Sequence, residues 1–449
     1  MENLKSKIKS VKEVIYPFLN KPVKVYELVN NHKIVLGHKE GGLVNVSTWV
    51  KTGSINENDQ NNGISHFLEH LMFKGTPSHP AGEFDRILEA KGAIVNAATW
   101  KDYTFYYVTL PKGENGRDFI EALELHADMM LNPTLPENEI GPVFDVNDLN
   151  VTEKRERYVV IEEIRMRDDQ PWTKTYNELN HNMYNVHPYK RDVIGSAEII
   201  STIPRDVIME YYKNWYTPEN MTTIIVGDID FDKTLELVIK HFDFKEERSC
   251  KKEALPEVKG LKESVYLENK SNINTGFMLF GFHGSKACNL KDAILLDILG
   301  IVLGEGNSSR LYQNLIEKPE TPVFNVINAD QYQFRAGNVF FIQGNFVPEH
   351  KEQALEQIKE QVQAIIDEPI SQEELNKSKK KLKVKFADSA ETVSEIGETI
   401  GYYMTVCDEL DMCGHYLKIL DDITAEDVQK VAKEYLNLNK SAISVLIPE

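Results

Sequence analysis

The 449-residue chain is long enough for at least two domains, each with its own hydrophobic core. It is 41% hydrophobic and 27% charged, as globular proteins are, and its net charge of −19 argues against nucleic acid or an anionic membrane as the main partner. Because it has no long apolar run, no recognisable secretory signal and four cysteines without paired spacing, we expect a cytoplasmic protein that does not depend on thiols.

The first predicted elements are a β-rich run from Val44 to Thr52 and, after it, a helix that carries the pentad His66 to His70. On a helix, positions four apart lie on one face, so both histidines can bind one metal ion. Glu69 lies beside them, where it can reach a water molecule on that metal. The order H-x-x-E-H is typical of the inverted zinc peptidases. For so short a motif, two surface histidines on a helix are the alternative.

A catalytic zinc ion needs three protein ligands and a fourth position for water. The stretch from Glu153 to Arg165 has the mixed charged and apolar pattern of a half-buried helix and offers the third ligand. Glu156 and Glu163 are two turns apart on one face, so one can bind metal while the other holds the free nitrogen of a ligating imidazole. The alternatives are Glu162 as the ligand and a helix whose charges form only local salt bridges.

Two parts of the chain are similar in pattern. A helix that begins near Ile203 is followed by the strand Thr222 to Val226, and a helix that begins near Ile423 is followed by the strand Ala442 to Ile447. The β-rich run Thr275 to Phe282, with a helix after it, matches the corresponding run in the first half. Duplication of one α+β domain is the simplest explanation.

We therefore predict an α+β protein of two homologous domains, each an antiparallel-rich sheet covered by helices, which face each other across a cleft. Residues 1–245 would form the metal-binding domain, 246–262 the linker and 263–449 a second domain without a metal site. The second half is predicted to be rich in helix, over residues 348–367, 371–390 and 392–406. The lysines between 377 and 385 are expected to form a solvated helix face rather than a nucleic-acid site.

The sequence resembles the pitrilysin-type zinc peptidases, which include insulin-degrading enzyme and the mitochondrial processing peptidases. It looks most similar to their small, two-domain bacterial branch. The likeness begins in Gly63 to Thr76, which contains the pentad, and continues through Tyr103 to Tyr107, Glu156 to Glu163 and Tyr212 to Gly227. The second half is similar more loosely, through Gly304 to Tyr312 and the last helix and strand.

The resemblance implies a zinc endopeptidase that hydrolyses peptides or small unfolded proteins. It implies one zinc ion per chain with three ligands: His66, His70 and Glu163. Glu69 would be the general base and Glu156 the carboxylate behind one imidazole. Asn96 and Ala97 would lie on an edge strand that receives the substrate backbone, the alternative being an ordinary inner strand. The rival functions are a non-catalytic assembly subunit and a metal-dependent hydrolase of other substrates.

The chain departs from the family pattern in two places. Residues 140–154 look like an inserted surface loop. Ile316 stands where the family has an Arg, and Val323 or Phe324 where it has a Tyr, so two donors to the substrate carbonyl and oxyanion are missing. We therefore expect a homodimer or a heterodimer; in the heterodimer this chain would carry the zinc and a homologous chain would supply the missing pair. Arg310 is a possible substitute donor, although a structural role is expected for it.

Overall fold

The computed structural model describes residues 5–148, 155–245 and 248–449. The chain forms two compact units, each built from three segments. The first unit contains Met1–Arg165, Asp192–Ala254 and Ala387–Gly414, and the second contains Met166–Arg191, Leu255–Phe386 and His415–Glu449. The domains expected at 1–245 and 263–449 were defined by the repeat in the sequence, whereas the compact units are defined by packing. The expected domain bounds therefore stay a prediction.

The first unit contains a seven-stranded sheet in the order β1-β2-β3-β7-β4-β6-β5. Its pairs are antiparallel except for β3 with β7. The strands are β1 (Ile8–Val14), β2 (Val23–Leu28), β3 (Lys33–His38), β4 (Leu43–Val50), β5 (Ile94–Thr99), β6 (Thr104–Pro111) and β7 (Met221–Gly227).

The second unit contains a five-stranded sheet in the order β10-β11-β9-β12-β8. Its strands are β8 (Val265–Ser271), β9 (Gly276–His283), β10 (Phe324–Tyr332), β11 (Val339–Phe346) and β12 (Ala442–Pro448). The pair β8 and β12 is parallel and the others are antiparallel. The order β8-β12-β9-β11-β10 therefore repeats β3-β7-β4-β6-β5 strand for strand, including the place of the parallel pair. This equivalence supports the duplication expected from the sequence.

Helices cover both sheets, so the predicted α+β class is confirmed. They are α1 (Ile64–Met72), α2 (Glu83–Glu89), α3 (Arg117–Leu131), α4 (Glu137–Ile140), α5 (Glu156–Asp168), α6 (Pro171–Met183), α7 (Ala197–Thr202), α8 (Arg205–Trp215), α9 (Phe231–His241), α10 (Leu290–Gly304), α11 (Arg310–Tyr312), α12 (Lys351–Asp367), α13 (Gln372–Asp388), α14 (Val393–Val406), α15 (Asp411–Asp422) and α16 (Ala425–Tyr435). Within the described ranges, no helix is long and apolar enough to cross a membrane.

Both faces of the seven-stranded sheet are covered. Side chains alternate between the two faces along a strand, so neighbouring residues belong to different cores. On one face, Val50 and Tyr106 pack in a large core with residues of α1 and α3. On the other face, Trp49 and Phe105 pack with residues of α14. The helix of the pentad, α1, and α14 therefore lie on opposite faces of this sheet.

The elements expected from the repeat are present close to their predicted bounds. The strands predicted at residues 44–52, 222–226, 275–282 and 442–447 are β4, β7, β9 and β12. The lysines of α13 bind neighbouring groups of the second unit: Lys385 lies 2.6 Å from Glu305 and Lys383 2.6 Å from Asp421. The stretch 141–148 is irregular and mainly exposed, as expected for the inserted loop, whereas 149–154 lie outside the described residues.

Candidate metal centre

The helix that carries the pentad has a fixed starting point. Gly63 precedes α1 with φ of 96°, in the left-handed region that favours glycine. The carboxylate of Glu57 accepts hydrogen bonds from the backbone N–H groups of Gly63, at 2.7 Å, and Ser65, at 2.9 Å. It thus satisfies donors at the helix N-terminus that have no partner within the helix. Burial raises the pKa of this carboxyl, although these hydrogen bonds act in the opposite direction.

The structure brings His66, His70 and Glu163 together. One carboxylate oxygen of Glu163 lies 3.7 Å from Nε2 of His66 and 3.6 Å from Nε2 of His70. A possible ligand atom from each residue lies within 4.8 Å of the others. These separations are too long for hydrogen bonds, so the three atoms surround a small space instead of bonding to one another.

Two imidazoles and a carboxylate are the donor set of a catalytic zinc site with an open position. Ligands about 2.0–2.1 Å from a tetrahedral zinc ion lie roughly 3.4 Å from each other. The observed separations of 3.6 and 3.7 Å are close to this value. The residues present therefore fit zinc, both in chemistry and in spacing.

Glu156 lies behind His70. Its carboxylate is 3.2 Å from Nδ1 of His70 and 2.6 Å from Nζ of Lys74. Burial raises the pKa of Glu156, but the hydrogen bonds from His70 and Lys74 outweigh burial and leave the pKa below its ordinary value. An ionised Glu156 keeps the proton of His70 on Nδ1, which leaves Nε2 free to bind a metal.

Glu69 points away from solvent and is only 9% exposed. Its carboxylate accepts a hydrogen bond from the hydroxyl of Thr99 at the end of β5. Burial raises the pKa of Glu69, and the hydrogen bond from Thr99 and the charge of His70 offset only part of that rise. A carboxylate with a raised pKa is a stronger base than an ordinary one.

Glu163, and not the alternative ligand Glu162, lies beside the two histidines. Glu162 lies 2.6 Å from the guanidinium of Arg165, one turn on along the same helix. The helix itself is held by Arg157, which is 2% exposed and lies 5.3 Å from the ring centre of Phe67 in α1. Arg157 thereby links α5 to the helix of the pentad.

Asn96 and Ala97 lie on β5, which is the last strand of its sheet. They pair with Tyr107 and Tyr106 of β6, and β5 has no second strand partner within the described residues. The backbone N–H of Ala97 donates to the side-chain oxygen of Asn96, at 2.9 Å. This N–H is thus occupied by the chain itself rather than by another strand. The predicted edge position is confirmed, and the role in substrate binding stays a prediction.

The residues at the places of the missing Arg and Tyr are apolar and belong to the interior of the second unit. Ile316 packs against the core there, and Val323 and Phe324 are 3% and 1% exposed. Arg310 makes a bidentate ion pair with Glu374, with N–O distances of 2.7 and 2.9 Å. Its guanidinium therefore has a structural partner, as expected.

Sequence reasoning missed Glu57, Lys74 and Thr99. Glu57 lies six residues before the glycine that starts α1, too far for an ordinary capping pattern. Lys74 falls one turn beyond His70 and could have been placed beside Glu156. Thr99 shares the face of Val95 and Ala97 on β5, so alternation along the strand was the available signal.

Comparison with known proteins shows the family to which the chain is similar. Residues 33–197 match the family described as insulinase, peptidase family M16, and residues 202–382 match the domain described as peptidase M16 inactive domain. The chain is 30% identical to the zinc protease PqqE of Helicobacter pylori, over 91% of this chain and 88% of that protein. It is 29% identical to the uncharacterized zinc protease YmxG of Bacillus subtilis, over 80% of this chain and 83% of that protein.

A solved structure is similar to the chain over its full length. The crystal structure of a protease from Helicobacter pylori superposes with a TM-score of 0.83 and 26% sequence identity, covering 98% of this chain and all of the other. The pentad, the two helix-covered sheets and the full-length similarity together assign the chain. It belongs to the insulinase family of peptidases, M16.

Proposed function

We propose that the chain is a zinc metalloendopeptidase that hydrolyses peptides or small unfolded proteins. The carrying observation is the convergence of His66, His70 and Glu163, with separations of 3.6 and 3.7 Å between the carboxylate oxygen and the two imidazole nitrogens. When bound, zinc supplies a Lewis acid and lowers the pKa of a water molecule towards about 7.

Glu69 is the proton carrier in this proposal. Its carboxylate takes a proton from the attacking water and later gives it to the leaving amine of the peptide. Its burial and raised pKa support this role, because the proton must be held during the first step and released in the second. Thr99 keeps the carboxylate oriented through its hydroxyl.

Glu156 and Lys74 support the site without touching the substrate. Glu156 accepts the Nδ1 hydrogen of His70, and Lys74 supplies the positive charge that keeps Glu156 ionised. This arrangement fixes the orientation of the imidazole and the nitrogen that it offers.

The open edge of β5 is the proposed site for the substrate backbone. An extended peptide would add to this edge through main-chain hydrogen bonds, which place weak demands on sequence. At Ala97 the substrate carbonyl would replace the side-chain oxygen of Asn96 as the acceptor. A folded protein cannot present such a strand, so the substrates are expected to be peptides or unfolded segments.

The apolar side chains of Ile316 and Val323 support a dimeric assembly. These side chains offer no donor to an oxyanion, and loss of one such donor typically costs about 10²–10³ in rate. We propose that this chain carries the zinc and that a second, homologous chain contributes the missing donors, because an identical chain lacks them too. Full activity of the isolated monomer would contradict this part of the proposal.

The test is the substitution Glu69→Gln, compared with Glu89→Gln, an exposed glutamate on the neighbouring helix. Metal analysis and cleavage of a quenched peptide library are measured for both. Glu69→Gln should retain about one zinc per chain, because the ligands remain. Its turnover number should fall by a factor of about 10²–10⁴, because the base is lost. Turnover that persists with Glu69→Gln refutes the general-base assignment, and absence of zinc from the wild-type protein refutes the metal site.

A further inference from the structure

Two hydrogen-bonded connections join the helix of the pentad, α1, to the hairpin formed by β5 and β6. The first is the contact of Thr99 with Glu69. The second begins at Ser65, which lies one turn before Glu69 on the same face of α1. The hydroxyl of Ser65 is 2.7 Å from the hydroxyl of Tyr211 in α8. The function proposed above uses only the first connection.

The second connection continues from Tyr211 to the hairpin. The hydroxyl of Tyr211 is also 2.8 Å from the hydroxyl of Thr52, the second residue after β4. The carbonyl oxygen of Thr52 accepts a hydrogen bond of 2.9 Å from the hydroxyl of Thr104, the first residue of β6. Thr104 is paired directly with Thr99, the last residue of β5. Both connections therefore reach the hairpin at the same pair of residues.

The side chains of the second connection are buried. Thr52, Ser65 and Thr104 are at most 1% exposed, and Tyr211 is 6% exposed. Burial raises the pKa of Tyr211, so its hydroxyl keeps its proton and can donate one hydrogen bond while it accepts another. A buried hydroxyl that loses its partner is costly, because water cannot easily replace that partner. These contacts therefore constrain the groups that they join.

The segment that follows Thr52 is fixed to the turn between β5 and β6. The backbone N–H of Ile55 donates a hydrogen bond of 2.9 Å to the carbonyl oxygen of Lys101. A Cβ atom on Gly53 would lie 2.0 Å from the carbonyl oxygen of Trp100, so this close approach requires glycine. Thr52 is thereby held to the hairpin, and Tyr211 joins it to α1.

Two attachment points on one face orient a helix more fully than one. Ser65 and Glu69 are separated by about 6 Å along the helix axis, because each residue rises about 1.5 Å. With a single contact, α1 would still be free to tilt about that point. With two contacts, a tilt or a rotation lengthens at least one hydrogen bond. The directions of His66 and His70 follow from this orientation, because both side chains project from the same helix.

We propose that Tyr211 is a positioning residue, which holds Ser65 to Thr52 and so aligns the zinc ligands of α1 with the substrate-binding edge of β5. This inference rests on the function proposed above. Tyr211 acts through its two hydroxyl partners and has no part in the proton transfers assigned to Glu69.

Tyr212, the next residue of α8, provides a matched control. It is also buried, with 3% of its surface exposed. Its hydroxyl donates to the backbone carbonyl oxygens of Met130 and Leu131, at 3.0 and 2.9 Å. Replacement of either tyrosine by phenylalanine therefore removes one buried, hydrogen-bonded hydroxyl from the same helix, but only Tyr211→Phe breaks the connection to α1.

The first experiment measures the zinc affinity of the full chain by competition with a chelator, independently of any turnover. Tyr211→Phe should bind zinc about tenfold more weakly than the wild type, as is typical when residues that orient metal ligands are changed. Tyr212→Phe should bind zinc as tightly as the wild type, and urea midpoints check that both variants are folded. Equal zinc affinity in the two variants overturns the proposal.

The second experiment approaches the same connection from its other end. Thr52→Val removes the hydroxyl that Tyr211 contacts and should weaken zinc binding about as much as Tyr211→Phe does. Thr52→Ser keeps the hydroxyl and should retain the affinity of the wild type. An equal loss of affinity in Thr52→Ser would assign the effect to packing and overturn the proposal.

The third experiment measures peptide cleavage with zinc at saturating concentration. In Tyr211→Phe, kcat should fall about tenfold while KM stays within about twofold, because a peptide can still add to β5 but its carbonyl is misaligned with α1. Tyr212→Phe should keep the kcat of the wild type. An unchanged kcat in Tyr211→Phe overturns the proposed alignment. A wild-type chain that binds zinc but cleaves no peptide refutes the proposed function, while the zinc affinities still decide the role of Tyr211.

Discussion

Thr99 donates a hydrogen bond to the carboxylate of Glu69, although the two residues lie 30 positions apart in the chain. The contact joins the edge strand β5 to the helix of the pentad. A single hydroxyl thereby connects the proposed substrate-binding edge with the proposed general base.

We predict that Thr99→Val lowers kcat about tenfold and moves the acidic limb of the pH–rate profile to higher pH. The hydrogen bond from Thr99 lowers the pKa of Glu69, so its loss raises that pKa, and the base is then deprotonated only at higher pH. The measurement is kcat as a function of pH. Thr99→Ser keeps the hydroxyl and should behave like the wild type. An unchanged profile in Thr99→Val would show that this hydroxyl does not tune the base.

We predict that Glu57→Ala destabilises the first unit by about 1–3 kcal/mol. The substitution leaves the N–H groups of Gly63 and Ser65 buried without an acceptor. Urea unfolding measures the change, with Glu89→Ala as the control at an exposed position. The substitution leaves the proposed zinc ligands in place, so folded Glu57→Ala should still bind metal. A free energy of unfolding equal to that of the control would contradict the role of Glu57 at the helix terminus.

We predict that Glu374 makes the second unit sensitive to acid. Burial alone would raise the pKa of Glu374, but the hydrogen bonds from Arg310 and Ser371 lower it to about 2, from an ordinary value of 4.5. The ionised carboxylate therefore stabilises the fold above about pH 4.5, and this stabilisation is lost as the pH falls towards 2.

The check is the free energy of unfolding of wild type and Glu374→Gln between pH 7 and pH 2.5. The variant should be less stable by about 1–3 kcal/mol at pH 7, and the difference should shrink below about pH 4.5. Glu373→Gln, at the exposed neighbouring position, should match the wild type throughout. A difference that stays constant with pH would assign the effect to packing instead of charge.

The sequence alone could predict which of the proposed metal-site residues share a helix face, because helical spacing is periodic. His66 and His70 are one turn apart and Glu156 and Glu163 two turns apart, so their shared faces follow from the sequence. The duplication could be predicted because each half carries the same succession of helix and strand patterns, whereas the strand order within each sheet was not predicted.

Other features could not be predicted because they depend on contacts between distant segments. The apolar stripe of α14 indicates that one face is buried but not which sheet covers it, and the helix packs with Trp49 and Phe105 of the first unit. The contact of Glu57 with the start of α1 depends on the path of a loop, which has no periodicity to reveal it.

The hydrogen bond from Ala97 to the side chain of Asn96 has a consequence for solubility. An uncovered sheet edge is a template on which copies of a protein can stack into aggregates. Asn96 covers one donor of that template with a group that can swing aside at the cost of a single exchanged hydrogen bond. Any strand that adds to β5 must therefore exchange one existing hydrogen bond at Ala97.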